Sequence, residues 1–385
     1  MFTGYPAKFE VFGAVKVYEL VKIYSLFAYG FEKPGVVSLP RLKDLEDVAQ
    51  KTVFIVPIKN EEPVTFEGVL KAIPHHSPIV VVSNSSLRPF NRYKVELDIA
   101  KSIYKMSGKT IVVVHQRDPI IAEKLRESLP EMLDEDGLVR NGKGEGMLIG
   151  ALIADALRAE NIAFVDADNH IPSTVLEYAL IYYTMLSFSE SKYKMIRIMW
   201  AHKGWTTEEF FLRRFGRVST AINTVLNKVL SFKRKRETDI IKTSNSGEHA
   251  MSMDLVKMVE WGSGFSIETQ ELVSILEKCY IDLDNGYCPA LPENIEIYQV
   301  ESLSPHIHAE KGDEHIAEML IASLSAIYHS KLADEKSKIY ILNVAKELGY
   351  AEELPKIPRY RYPEMNAREL LDALASESKL SIVLT

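Results

Sequence analysis

Asn161-Ile-Ala-Phe-Val165 runs directly into Asp166-Ala-Asp168. Five uncharged residues are followed by two carboxylates two positions apart. A short apolar run of this kind reads as a strand buried on both faces of a parallel sheet. Ligands of such sheets bind beyond the carboxyl ends of the strands, so the acidic pair falls where chemistry is expected.

Working outward, Val53-Phe-Ile-Val56, Ile79-Val-Val-Val82 and Thr110-Ile-Val-Val-Val114 repeat the pattern. Helical stretches near 64–72, 92–106, 118–128 and 145–159 alternate with them. The alternation predicts an α/β fold, a Rossmann-like, mainly parallel sheet flanked by helices. A further strand is expected over 194–201. The chain then turns mostly helical, at 207–214, 218–231, 267–279 and 312–329. Residues 1–50 read as a lead-in with helical periodicity from Val15 to Phe27, and Glu237 to Ser246 as a mobile or irregular connector. Four stretches follow: 1–50, a nucleotide-binding core over 51–205, an acceptor-binding part over 206–305, and a C-terminal segment over 306–385 that packs back on the core.

Composition narrows the function. The 385 residues carry 46 Lys+Arg against 53 Asp+Glu, a net charge of -7, and 46% are hydrophobic. That is ample for a large core, and the acidic balance disfavours a general nucleic-acid binder. Lys233-Arg-Lys-Arg236 ends a helix, where its charges suit the dipole. Two cysteines, Cys279 and Cys288, make neither a disulfide framework nor a four-cysteine zinc site, so a reduced, cytoplasmic protein is expected. The apolar stretch Val11–Tyr29 carries Lys16, Glu19 and Lys22, which disqualifies it as a membrane span. The chain start lacks the order of a signal peptide.

The residues after each strand are polar: Pro57-Ile-Lys59-Asn60-Glu61-Glu62, Ser83-Asn84-Ser85, His115-Gln-Arg117 and Asp166-Ala167-Asp168. Carboxylates at a strand tip can hold a hard divalent cation. The same residues are also common in plain turns. Arg140-Asn-Gly-Lys-Gly-Glu-Gly146 opens an apolar helix, and its glycines let an anion approach the free N–H groups. It can equally be a flexible helix start. Gly137 to Lys143 fits a nucleotide triphosphatase P-loop, but Gly144 stands where that loop needs Ser or Thr and an acidic, Pro130-broken stretch precedes it. Asn60-Glu61-Glu62 also suits a helix cap. Glu248 and His249 are polar groups near Trp261-Gly-Ser-Gly-Phe265, which reads as a glycine-hinged lid or as a turn.

Val56-Pro-Ile-Lys-Asn-Glu-Glu62, Asn141-Gly-Lys-Gly144 and Phe164-Val-Asp-Ala-Asp168 together resemble the GT-A nucleotide-sugar glycosyltransferases. With Ile198-Met-Trp200, Arg213-Arg-Phe-Gly-Arg-Val-Ser219 and Pro305-His-Ile-His308, the chain is similar to the mannosyl-3-phosphoglycerate synthase family. That resemblance implies transfer of mannose from GDP-mannose to D-3-phosphoglycerate with retention. It implies nucleotide-sugar contacts from Pro57, Lys59, Asn60, Glu61, Ser85, Lys143, Asp166 and Ala167. Asp168 and His308, or His306, would hold a divalent metal, with Mg, Mn, Co and Zn all suited to the donors. Gly216, Arg217, Ser219 and Thr220 would take the acceptor phosphate, although Ser219 stands where the family pattern has Thr. Without the resemblance, that stretch reads as a basic helix face. The catalytic assignments are Asp168 and Lys143. No nucleic acid or membrane partner is implied, and a homodimer is left open. The alternatives are a sister glucosyltransferase, a non-catalytic nucleotide-binding module and a nucleotide triphosphatase.

Overall fold

The computed structural model describes residues 2–3, 8–20, 23–24, 42–200, 203–204, 216–283, 288–308, 312–349 and 353–385. Among the described residues ten strands share one sheet. In chain order they are β1 Lys8–Phe12, β2 Val15–Leu20, β3 Thr52–Ile58, β4 Ile79–Ser83 and β5 Ile111–His115. They continue with β6 Asn161–Phe164, β7 Tyr193–Trp200, β8 His249–Ser252, β9 Ile295–Ser302 and β10 Ile382–Leu384. Their spatial order is β10-β5-β4-β3-β6-β8-β7-β9-β2-β1. The run β5-β4-β3-β6 is parallel, as are the pairs β7-β9 and β9-β2. The helix-flanked, mainly parallel sheet expected from the sequence is therefore present.

The apolar strands are buried on both faces for a visible reason. Val53 and Ile55 enter one apolar cluster, whereas Phe54 and Val56 enter the other. Helices cover both. On one face lie α1 Leu42–Gln50, α2 Pro63–Ala72, α3 Arg92–Ser107 and α6 Pro172–Phe188. On the other lie α4 Pro119–Leu125, α5 Lys143–Ala156, α7 Arg217–Arg234, α8 Met253–Met258, α9 Ile267–Leu276, α10 Asp313–Tyr328, α11 Glu335–Glu347 and α12 Ala367–Ser376. The middle of α5, residues 146–154, is apolar all round because sheet and helices enclose it, as a buried helix should be. A methyl at Gly150 would collide with the Ile55 side chain, so glycine lets α5 lie directly on β3. Truncating Leu148 in this layer would cost about 2–5 kcal/mol.

Two expectations are corrected. The helical periodicity over Val15–Phe27 is instead strand over Val15–Leu20, parallel to β9. Val15 and Val17 alternate inward with period two, and pairing along β9 outweighs a marginal helical pattern. Residues 25–27 lie outside the described residues. The two cysteines, expected as free thiols, are joined in a disulfide with their Cα atoms 4.7 Å apart. The π-helical turn Glu277–Ile281 after α9 presents Cys279 to Cys288, which spacing along the chain does not reveal.

Strands β1 and β2 from the lead-in and β10 from the C-terminal segment all join the main sheet. The connector 237–246 is irregular, yet Ile240, Ile241, Thr243 and Ser244 are buried. The helix expected at 207–214 lies outside the described residues. Among the described residues no helix is long and apolar enough to cross a membrane.

Candidate active site

The carboxyl ends of β3, β4, β5 and β6 open into a cleft of about 1120 Å³. The strand β8 completes it from the opposite direction. It runs antiparallel to β6, with His249 opposite Phe164, so the residues preceding β8 meet the residues following β6. Gly247 and Glu248 thus line the same cleft as Asp166, Ala167 and Asp168.

Asp166 is bound by Lys143 at the first turn of α5, with Nζ 2.8 Å from Oδ1. Lys143 also pairs with Glu268 Oε1 at 2.9 Å. Burial works against the Lys143 charge, but the Asp166 and Glu268 carboxylates outweigh it and hold the ammonium well above its ordinary range. Glu268 Oε2 is buried with no hydrogen-bond partner among the described residues, although the residue lines the cleft. Asn169 donates to the Asp166 carbonyl at 2.8 Å and to Glu248 Oε1 at 3.2 Å. This fixes the turn that carries Asp168.

The glycine-rich helix start is held from below. Gln116 Nε2 donates to the carbonyls of Arg140 and Gly142 at 2.6 and 3.0 Å. At Gly144 a Cβ would strike the Gly262 carbonyl, so the close approach of two backbones requires glycine there. No strand precedes the loop, only a single 3₁₀ turn at Pro130–Met132 and an irregular stretch. This agrees with setting the P-loop reading aside.

A buried ionic cluster supports the floor. Arg197 on β7 is fully buried and donates to Glu271 Oε2 at 3.1 Å, Thr243 O at 2.9 Å and Glu268 O at 3.0 Å. His249 Nε2 lies 3.2 Å from Glu271 Oε1. Hydrogen-bonded charges of this kind are retained where geometry must be fixed. His249 therefore serves the floor, whereas Glu248 faces the cleft.

Most of the residues singled out in the sequence come together. Pro57, Lys59, Glu61, Lys143, Asp166, Ala167, Asp168, Gly216, Ser219, His306 and His308 line one cleft. Asn60 and Ser85 sit just behind it and tie two strand ends together. Asn60 has φ 61°, its N–H donates to Ser85 Oγ at 2.7 Å, and its Oδ1 accepts Ser86 N–H at 2.9 Å. Gly216 is the N-cap of α7 and Arg217 its first residue; the Arg217 side chain lies outside the described residues. Thr220 is exposed, and its hydroxyl donates back to the Gly216 carbonyl at 3.0 Å.

The histidine pair arrives by tertiary folding. Glu177 on α6 accepts the N–H groups of Leu303 and Ser304 at 2.6 and 2.8 Å, and His170 N–H donates to Ile307 O at 3.0 Å. His306 stacks on Trp200 at 4.5 Å and shares a hydrogen bond with Tyr178 at 3.1 Å. His308 is less buried than His306. Among the described residues no three His, Cys, Asp or Glu side chains gather as a ready metal cage.

Residue-by-residue reading of strand ends passes over Gly247 and Glu268. The signal for Glu268 is present in Glu268-Thr-Gln-Glu271, four polar residues interrupting an apolar helix pattern, all of them buried.

The family model described as mannosyl-3-phosphoglycerate synthase (osmo_MPGsynth) matches residues 5–374. A mannosyl-3-phosphoglycerate synthase of Aeropyrum pernix is 46% identical over 380 residues, 98% of this chain and 98% of the relative. One from Pyrococcus furiosus is 42% identical over 362 residues, covering 92% and 91%. Among solved structures, glucosyl-3-phosphoglycerate synthase from Mycobacterium tuberculosis in complex with phosphoglyceric acid is 16% identical, with a TM-score of 0.47 over 79% of this chain and 88% of that one.

Proposed function

The chain belongs to the mannosyl-3-phosphoglycerate synthase family, and from that premise we propose that its cleft transfers mannose from GDP-mannose to D-3-phosphoglycerate with retention. One observation carries the reading. The carboxylates at the tip of β6, the Lys143 helix start and the opening of α7 face a single cleft.

In this proposal the nucleoside lies against Pro57, Lys59 and Glu61, with Asn60 and Ser85 setting the shape of that wall. The diphosphate lies toward Lys143 and the acidic tip, and Asp166 and Ala167 border the donor. Glu268 Oε2, a buried acceptor without a hydrogen-bond partner among the described residues, suits a sugar hydroxyl, because a carboxylate only accepts. Gly216, Arg217 and Ser219 take the acceptor phosphate at the start of α7, where free N–H groups favour anions, while Thr220, whose N–H and hydroxyl both donate to the Gly216 carbonyl, shapes that first turn.

The charge balance asks for a cation. Among the described residues six carboxylates, of Glu61, Asp166, Asp168, Glu248, Glu268 and Glu318, line the cleft against Lys59 and Lys143. A dianionic diphosphate would not settle there without a counter-ion. One carboxylate and one imidazole suit a divalent metal, which Asp168 and His308 would hold. Such an ion would supply Lewis-acid stabilisation of the departing diphosphate. Lys143 adds fixed positive charge near the same oxygens. The acceptor 2-hydroxyl then attacks the anomeric carbon on the face the diphosphate leaves, and a departing phosphate oxygen takes the proton. A mannosylated enzyme trapped with a slow donor would count against this route.

The test is a donor-by-acceptor rate screen with added divalent metals, run on the wild type and on Asp168→Ala. Turnover confined to GDP-mannose plus 3-phosphoglycerate is expected, and Asp168→Ala should lose far more rate than GDP affinity. Preference for UDP-glucose would refute the donor assignment. Equal losses of rate and affinity in Asp168→Ala would favour a binding module.

A further inference from the structure

We propose that Tyr360 is a positioning residue for the donor half of the site, acting through Glu145. The inference rests on the donor assignment above.

Glu145 lies two residues after Lys143 and is fully buried. Among the described residues no lysine or arginine pairs with it. Three donors from two distant stretches hold its charge instead. Oε1 accepts Ser263 Oγ at 2.5 Å and Tyr360 Oη at 2.8 Å, and Oε2 accepts Gly264 N–H at 3.0 Å. Ser263, Gly264 and Phe265 line the cleft. The C-terminal segment backs this wall: Trp261 pairs with Tyr360 and Gly262 with Arg359 in antiparallel register, and Ser263 N–H donates to Pro358 O at 3.0 Å.

The first turn of α5 and the 261–265 turn are therefore one clamped unit, a fixed wall and not a hinged lid. Among the described residues Tyr360 contributes the one donor from outside that unit. Its hydroxyl is kept protonated, chiefly by burial and then by the Glu145 charge. Without it Glu145 Oε1 keeps a single donor, the carboxylate can turn, and the Lys143 turn moves relative to Asp166.

A matched control exists on the same segment. Tyr362 Oη donates to Asp155 Oδ2 at 3.0 Å, at the far end of α5. Tyr360→Phe and Tyr362→Phe each delete one hydroxyl between the C-terminal segment and this helix, but only the first touches the clamp. Kinetics are measured for donor and acceptor separately, with thermal unfolding alongside. In Tyr360→Phe, donor kcat/KM should fall roughly tenfold, the scale of one charge-assisted hydrogen bond, with acceptor KM within about twofold of wild type. Tyr362→Phe should lose thermal stability without that donor-selective loss. Equal kinetics in the two variants, or parallel loss for donor and acceptor in Tyr360→Phe, would overturn the proposal. Should Tyr360→Phe fail to fold cooperatively, Ser263→Ala removes another donor to the same oxygen; the same donor-selective loss supports the proposal, and wild-type kinetics there overturn it. A wild-type enzyme inactive on every nucleotide sugar would instead sink the functional reading.

Discussion

Replacing Gly247 with alanine adds one methyl group at the junction of Asp166 and Lys143. The new Cβ would lie 2.5 Å from Asp166 Oδ2 and 3.0 Å from Lys143 Nζ. Ordinary contact begins at 3.4 Å, so the oxygen must retreat from 2.5 Å to at least 3.4 Å, a shift of about 0.9 Å. Gly247 is not among the glycines with positive φ, so the backbone accepts alanine without strain. The effect should fall on geometry and not on folding. A displacement near 1 Å in a positioned site costs about 100-fold in rate, or roughly 2.7 kcal/mol of barrier. The assay is initial GDP release at saturating donor, acceptor and metal, with urea unfolding in parallel. We expect kcat to fall about 100-fold while unfolding free energy drops by about 1 kcal/mol or less. Gly108→Ala supplies the converse. Gly108 ends α3 at φ 65° with nothing near its Cβ position, so alanine there should cost about 1 kcal/mol of stability and leave activity unchanged. A Gly247→Ala enzyme with kcat within about twofold of wild type would refute the placement of Asp166 and Lys143 in the reacting geometry.

Two further outcomes follow from the buried charges. Arg197→Met strands Glu271 in the core and should cost about 3–5 kcal/mol by urea denaturation; a loss under about 1 kcal/mol would show that the cluster does not hold the floor. Lys109 caps the end of α2 through the carbonyls of Leu70 and Ile73 at 3.3 and 2.6 Å, and burial lowers its pKa to about 8 from 10.5. Between those values the unfolded chain keeps a proton that the folded chain has lost, so stability contributed by this residue rises with pH across the window and is lowest below about 8. Lys109→Met should flatten that part of the rise between pH 8 and 10 in urea midpoints; an unchanged slope would contradict it.

The alternation of strand and helix was legible because a strand buried on both faces leaves an unbroken apolar run, as at Val53–Val56 and Ile79–Val82. The acidic pair was legible because its position at a strand end carries meaning in any parallel sheet. The lead-in was misread because Val15–Leu20 is a strand held between two neighbours, β1 in an antiparallel hairpin and β9 in parallel register from far along the chain. Cys279 and Cys288 were misread because the π-helical turn that brings them together has no sequence marker.

Local pattern by itself determined the parallel run β3 to β6, the acidic tip and the glycine-rich helix start, since each depends on residues adjacent along the chain. The tertiary structure decided what surrounds them. Strand β8 runs antiparallel, so Gly247 and Glu248 reach the carboxyl edge from the wrong end of a strand. Glu268, His308 and Tyr360 arrive from segments 100, 140 and 192 residues beyond Asp168 in the numbering. Their places follow from long-range contacts with Lys143, Glu145 and α6, and such contacts leave no periodicity in the sequence.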